Sequence, residues 1–215
     1  MAATISTSSP MPKRHRLARQ QQHRGVDLRQ LALEPHPVPS WIVCGAGTGG
    51  HLGDHGPLPP LPPARLPPLR RRPRAHFYAD YFASGDATLT LRTASRIEGI
   101  GRPRVEPSFI RTVVDRMEKV PDVASIAAIW FLGDRLGHSC GGSTGTNLIA
   151  AVRLIAEMRA AGRQGSVATL LCDSGTRYAD TYFNRDWLSE RGLDIDPWVE
   201  ALETFHATGI WHEPA

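Results

Sequence analysis

The sequence predicts an α/β fold built on a parallel, doubly wound sheet. Short apolar runs of strand length, Trp41–Cys44 and Ser166–Cys172, alternate with longer helical patterns. Helices that alternate with single strands place those strands parallel in one sheet. Two glycine-rich stretches, Gly45–Gly50 and Cys140–Gly145, stand where such sheets bind ligands, beside strand ends and helix starts.

Residues 1–30 open with Ser and Thr, then carry Lys13, Arg14, Arg16 and Arg19, then Gln20-Gln21-Gln22. They show no periodicity and read as a disordered or aberrant arm. Residues 31–50 form the next unit. Trp41-Ile42-Val43-Cys44 reads as a buried strand, and Gly45-Ala46-Gly47-Thr48-Gly49-Gly50 follows it directly. Glycines at a strand's C-terminal end let the backbone approach a phosphate and aim N–H groups at it. Gly45, Gly47 and Gly50 also fit the dinucleotide fingerprint, but the helix and acidic strand end which that fingerprint requires cannot be read after Gly50.

Residues 51–76 carry eight prolines and the run Arg70-Arg71-Arg72, and cannot form the helix that a phosphate loop needs. His51, Asp54 and His55 have metal-like spacing, yet no second ligand pair accompanies them, and no metal is expected. Back-translated with GC-rich codons and read one base later, this block permits a helix and a buried strand, so a shifted reading frame is the favoured account. A genuine Pro/Arg-rich insertion is the alternative.

Residues 77–215 read as a domain. Residues 77–111 are loop-rich, and Arg111–Met117 alternates enough for a strand. Pro121 and Asp122 open a helix with Val123, Ile126, Ile129, Trp130 and Leu136 on its inner side. In the next helix Leu148, Ala151, Val152 and Ile155 share one face, while Arg153 and Glu157 lie on another. Ser143, Thr144 and Thr146 stand at or just before its N-terminus. Unpaired N–H groups and the helix dipole favour an anionic or polar ligand there, and an ordinary glycine loop with a Ser/Thr cap is the competing reading. Ser166–Cys172 reads as a buried strand, and two or three short helices run from about Arg177 to Thr208.

Composition narrows the classes. At 215 residues and 41% hydrophobic content the chain can hold one or two cores. It contains no apolar run of membrane-spanning length and no signal-peptide pattern, so a soluble, cytoplasmic protein with no membrane partner is expected. Cys44, Cys140 and Cys172 are too few and too odd for a disulfide scaffold and read as buried, inert thiols in a reducing compartment. Residues 1–75 hold 11 Lys/Arg against 3 Asp/Glu, whereas the remainder holds 14 against 18. The basic arm lacks interleaved aromatics, so no nucleic-acid partner is expected.

The motifs together resemble the cysteine synthase and cystathionine β-synthase family, the fold-type II pyridoxal-phosphate enzymes. Gly47-Thr48-Gly49-Gly50 is similar to that family's phosphate-binding loop. Gly142-Ser143-Thr144-Gly145 looks like its loop at the cofactor's pyridine nitrogen. Ile97-Glu98-Gly99-Ile100-Gly101 resembles its segment near the substrate cleft, and Leu171-Cys172-Asp173-Ser174-Gly175-Thr176-Arg177-Tyr178 its strand and turn closing the cofactor pocket. The resemblance covers residues 31–50 and 77–195, roughly the cofactor-binding half of a complete enzyme.

The resemblance implies pyridoxal 5'-phosphate as cofactor, cradled by Gly47, Thr48, Gly49 and Gly50, with Ser143 at the ring nitrogen and Thr144 and Asp173 lining the pocket. A neutral hydroxyl at the nitrogen suits β-elimination or β-replacement on cysteine- or O-acetylserine-type amino acids. It further implies a small amino-acid substrate and a homodimer in an intact relative. The family's Schiff-base lysine belongs to a motif upstream of the phosphate loop. The two lysines here are Lys13 and Lys119, and neither stands in such a motif, so no catalytic residue is assigned and this chain alone is expected to be inactive. A non-catalytic binding fragment and an NAD-binding Rossmann domain are the alternatives.

Overall fold

Strands β1 (Trp41–Val43) and β2 (Val167–Thr169) pair in parallel, with Trp41 opposite Val167, Ile42 opposite Ala168 and Val43 opposite Thr169. The computed structural model describes residues 31–46, 77–89, 95–101, 104–106, 109, 111 and 114–214. The arm 1–30, the loop Gly47–Gly50 and the segment 51–76 therefore lie outside the described residues. Among the described residues the sheet has these two strands.

Each strand is shorter than its apolar run, and β2 shows why. The Leu170 carbonyl accepts from Asn147 Nδ2 at 3.2 Å, and the Cys172 N–H donates to Thr144 Oγ1 at 2.9 Å. Side chains of a helix thus take the backbone groups a longer ladder would have used. At the other end Ser40 N–H donates to the Ser166 carbonyl at 2.8 Å, and at the C-terminal end Thr169 Oγ1 donates to the Val43 carbonyl at 2.9 Å. These bonds fix the register of the pair.

Two helices carry the core. Helix α2 (Asp122–Leu136) starts behind the extended Pro121 and ends at Gly137, whose φ of +69° is the left-handed conformation that favours glycine. Helix α3 (Gly142–Ala160) packs against α2 and against both strands. Ile126 and Ile129 are buried as expected, with Val123, Trp130 and Leu136 half-buried. Ala124, Ser125, Ala127 and Ala128 are buried too, because α3 comes very close at Gly145. On α3, Ala151 and Val152 are buried and Leu148 and Ile155 half-buried, whereas Ile149, Leu154 and Met158 join the core from a second side. A helix covered by both a helix and a sheet needs a wider apolar stripe than a surface helix does.

After β2 come a 3₁₀ turn (Gly175–Tyr178), α4 (Arg185–Glu190) and α5 (Asp196–Thr208). Asn184 caps α4, its Oδ1 accepting from Asp186 N at 2.9 Å and Trp187 N at 3.1 Å. Helix α5 has Pro197 in its first turn, packs on α2, and buries Leu202. These are the short helices expected from Arg177 onward.

The chain divides into two compact units, and the elements above belong to the first, residues 31–45 and 120–214 of the described chain. The second spans residues 46–119. It holds α1 (Phe77–Ser84), an eight-residue helix in a stretch expected to be loop. Its core is Tyr78 stacked on Phe109 at 4.6 Å, with Tyr81 edge-on to the same ring. The strand expected over Arg111–Met117 does not form in the described part of that stretch. Val114 N–H closes a turn onto the Arg111 carbonyl at 3.2 Å, and Val114 and Met117 pack on the Tyr78–Phe109 cluster instead of pairing. In the Gly99-Ile100-Gly101 segment both glycines have positive φ, +85° and +69°, and Gly101 N–H donates to the Ala46 carbonyl at 2.9 Å. Left-handed backbone at two positions separated by one residue accounts for the Gly-Ile-Gly pattern. Among the described residues no helix is long and apolar enough to cross a membrane.

Candidate functional site

The N-terminal turn of α3 and the segment leaving β2 are stitched together. Gly141 N–H donates to the Asp173 carbonyl at 2.8 Å, and Gly175 N–H donates to the Ser139 carbonyl at 3.0 Å, with Cys140 and Ser174 bridged antiparallel. Thr144 and Asn147 add their bonds to Cys172 and Leu170. The first turn of α3 is thereby held at the C-terminal end of a parallel strand, where ligands of open α/β sheets bind.

Gly141 is the N-cap of α3, and no side-chain hydrogen bond caps the helix. Ser143, Thr144 and Thr146 lie inside its first two turns, and their hydroxyls have different fates. Thr144 is 2% exposed, and its Oγ1 is committed to Cys172 N–H. Thr146 Oγ1 lies 2.8 Å from Ser125 Oγ and bridges α3 to α2. Ser143 is half-buried, and among the described residues nothing hydrogen-bonds its hydroxyl. Of the three, Ser143 alone keeps its hydroxyl available to a ligand.

Asp173 faces the same turn. Tyr178 Oη–H donates to Asp173 Oδ2 at 2.7 Å, and Tyr178 is itself buried and stacked on Tyr182 at 4.7 Å. The three thiols gather here as well. Burial, with a smaller contribution from the charge on Cys172, pushes the Cys44 thiol up to about 11. Burial first, then Cys172 and Asp173, raise Cys140 above the usual thiol range. The Cys44 and Cys140 thiols are thereby held protonated at neutral pH, while Cys44 and Cys172 are half-buried where burial was expected.

Asn147 escaped the sequence reading. It is 1% exposed, and its Oδ1 is buried with no partner among the described residues. An amide inside an apolar helical face was the available signal. The second role missed was that of Tyr178 in orienting Asp173, for which a separation of five residues gives no periodic cue. The loop Gly47–Gly50 and Lys13 lie outside the described residues. Lys119 belongs to the second unit, where it is about half exposed and its Nζ pairs with Asp80 Oδ1 at 2.6 Å. Among the described residues no group of three His, Cys, Asp or Glu is placed to hold a metal ion.

Comparison with known proteins gives consistent relatives. The chain is 50% identical over 190 residues to the L-cysteine desulfhydrase of Mycobacterium tuberculosis, the match covering 85% of this chain and 50% of that protein. It is 30% identical over 155 residues to cysteine synthase 1 of Neurospora crassa, covering 71% of this chain and 40% of the synthase. Rat cystathionine β-synthase is 32% identical over 104 residues, 48% of this chain and 18% of that protein. Among solved structures, a hydrogen sulfide-producing enzyme from Fusobacterium nucleatum matches with a TM-score of 0.50 and 21% identity, over 80% of this chain and 48% of that one. At that identity the match speaks for the fold alone. No protein-family model matches. The chain spans half or less of the length of these relatives.

Proposed function

The chain belongs to the cysteine synthase and cystathionine β-synthase family of pyridoxal-phosphate enzymes, and from that premise we propose that it supplies a cofactor-binding part of a PLP-dependent β-elimination or β-replacement enzyme acting on cysteine- or O-acetylserine-type amino acids. The observation that carries the reading is the unengaged Ser143 hydroxyl on the first turn of α3. The site fits the cofactor's ring. Ser143 would meet the ring nitrogen, with Thr144 and Asn147 holding the turn in place through Cys172 and Leu170. Gly47, Thr48, Gly49 and Gly50 would cradle the phosphate. When bound, the cofactor supplies the electron sink for breaking the bond to the β-substituent. The protein's own part is to bind, orient and keep water from the ring, which the buried face of α3 and the protonated thiols serve. None of these relatives favours the nicotinamide-dinucleotide alternative.

In this reading the two-stranded sheet belongs to a doubly wound parallel sheet, residues 77–215 with 31–50 make the cofactor-binding region, and the intact enzyme is a cytoplasmic homodimer. Neither Lys13 nor Lys119 serves as Schiff-base lysine, so the chain alone does not turn over substrate. The test has two arms. In an intact relative that carries serine at the position aligned with Ser143, replacing that serine by alanine should shift the cofactor's absorbance and lower activity, and an unchanged spectrum would remove Ser143 from the site. The purified chain, given PLP and L-cysteine, should release no sulfide above the rate of PLP without protein. Catalytic release would show that one of its two lysines is competent.

A further inference from the structure

Gly141 occupies the N-cap of a nineteen-residue helix, a position where Ser, Thr, Asp and Asn are preferred because their side chains reach the first free N–H groups. Here that volume is filled by another residue. A Cβ built on Gly141 would stand 2.6 Å from Asp173 Cγ and closer still to Oδ1. The carboxylate of Asp173 therefore sits where the cap side chain of α3 would begin. Three things hold it there: the Gly141 N–H on the Asp173 carbonyl, the Tyr178 hydroxyl on Oδ2 at 2.7 Å, and the stack of Tyr178 on Tyr182. Arg177 Nη1 lies 4.0 Å away, largely exposed, and screens the carboxylate only weakly.

We propose that Asp173 is a specificity-determining residue which places its carboxylate against the N-terminus of α3 from the neighbouring segment and bars anions from it, so that this end of the site accepts an uncharged heteroaromatic nitrogen and rejects phosphate. A bare helix N-terminus attracts phosphate through its dipole and free N–H groups. A carboxylate held beside that terminus offsets the positive end of the dipole and repels a second anion. The glycine at the cap and the aspartate beside it form one device, since any side chain on Gly141 would displace the carboxylate. The inference rests on the cofactor reading above, and its test separates the two.

The experiment uses the full chain, ¹⁵N-labelled, and follows the backbone amides of Ser143, Thr144 and Gly145. Inorganic phosphate is titrated into the wild type, Asp173→Asn and Asp173→Glu. Asp173→Asn should bind phosphate at these amides about twofold to thirtyfold tighter than the wild type, the scale of one charge at a helix terminus. Asp173→Glu, which keeps the charge, should show no such gain. Should Asp173→Asn fail to give a dispersed amide spectrum, Asp173→Ser is the replacement, with the same expectation. Equal phosphate affinity in wild type and neutral variant, including no binding by either, overturns the proposal. Unphosphorylated pyridoxal, titrated into the wild type, probes the cofactor reading by itself. A missing shift at Ser143 there counts against that reading, whatever phosphate does.

Discussion

Gly145 to alanine tests the packing that places the candidate site. A Cβ on Gly145 would stand 2.8 Å from the carbonyl carbon of Ser125, 3.0 Å from Ile129 Cγ2, and closer still to the Ser125 carbonyl oxygen. Carbon atoms in contact prefer about 3.5–4.0 Å, so α2 and α3 must part by roughly 1 Å, and a gap of that size forfeits a quarter to a half of each contact it opens. The obstacle is backbone, which cannot rotate aside. Overpacking of this kind costs about 1–3 kcal/mol, here at the upper end. Alanine returns about 1 kcal/mol in helix propensity, leaving a net loss of about 2 kcal/mol. In a chain of this size that lowers Tm by about 4–8 °C. Gly133, also helical, is the control. The nearest atom to a Cβ there is the His138 carbonyl oxygen at 3.9 Å, an ordinary contact, so Gly133→Ala should stabilise by up to about 1 kcal/mol. Thermal melts followed by circular dichroism compare the two. Equal melting temperatures for Gly145→Ala and the wild type, or a loss in Gly133→Ala as large as in Gly145→Ala, would refute the close crossing.

Four further outcomes are expected. Thr144→Val should cost about 1–3 kcal/mol in denaturant unfolding, because it leaves the Cys172 N–H without its acceptor, whereas Ser143→Ala should be within about 0.5 kcal/mol of the wild type. With its thiol raised from 9.0 to about 11, Cys44 should alkylate at pH 8 about 100-fold more slowly in the folded chain than in denaturant, as read by mass spectrometry of iodoacetamide-treated peptides. The same shift makes stability fall as pH rises from 9 toward 11, since the fold holds the proton that the unfolded chain releases; a flat stability profile across that window would contradict it. Borohydride reduction of the chain with PLP should leave no stoichiometric pyridoxyl adduct on Lys119, whose Nζ is paired with Asp80.

The parts of the fold set by local chemistry were legible. Pro121 and Asp122 announced α2, and the glycine-rich stretch announced the start of α3. The short strand pair was readable in type but not in length, because what ends β2 is the reach of Thr144 and Asn147 from a helix more than twenty residues earlier. Arg111–Met117 misled for a related reason. Its alternation of apolar residues suits a strand, but Val114 and Met117 use it to cover the Tyr78–Phe109 stack. Alternation records which residues are buried, and only the presence of a pairing partner makes them a strand.

The site was legible in its residue types and not in its division of labour. Four hydrogen-bonding side chains near one helix start, Ser143, Thr144, Thr146 and Asn147, look equivalent in a sequence. In the structure three are spent on positioning: Thr144 on Cys172, Thr146 on Ser125, Asn147 on Leu170. Each bond holds a buried polar group that would otherwise cost about 1–3 kcal/mol, so the spacing of these residues answers to the packing of α3 against its neighbours. Ser143 is left over by that accounting. It sits on the same turn as three committed neighbours, and their bonds fix the turn without using its hydroxyl. A hydroxyl held rigidly and left unpaired is what recognition of a planar ring nitrogen requires.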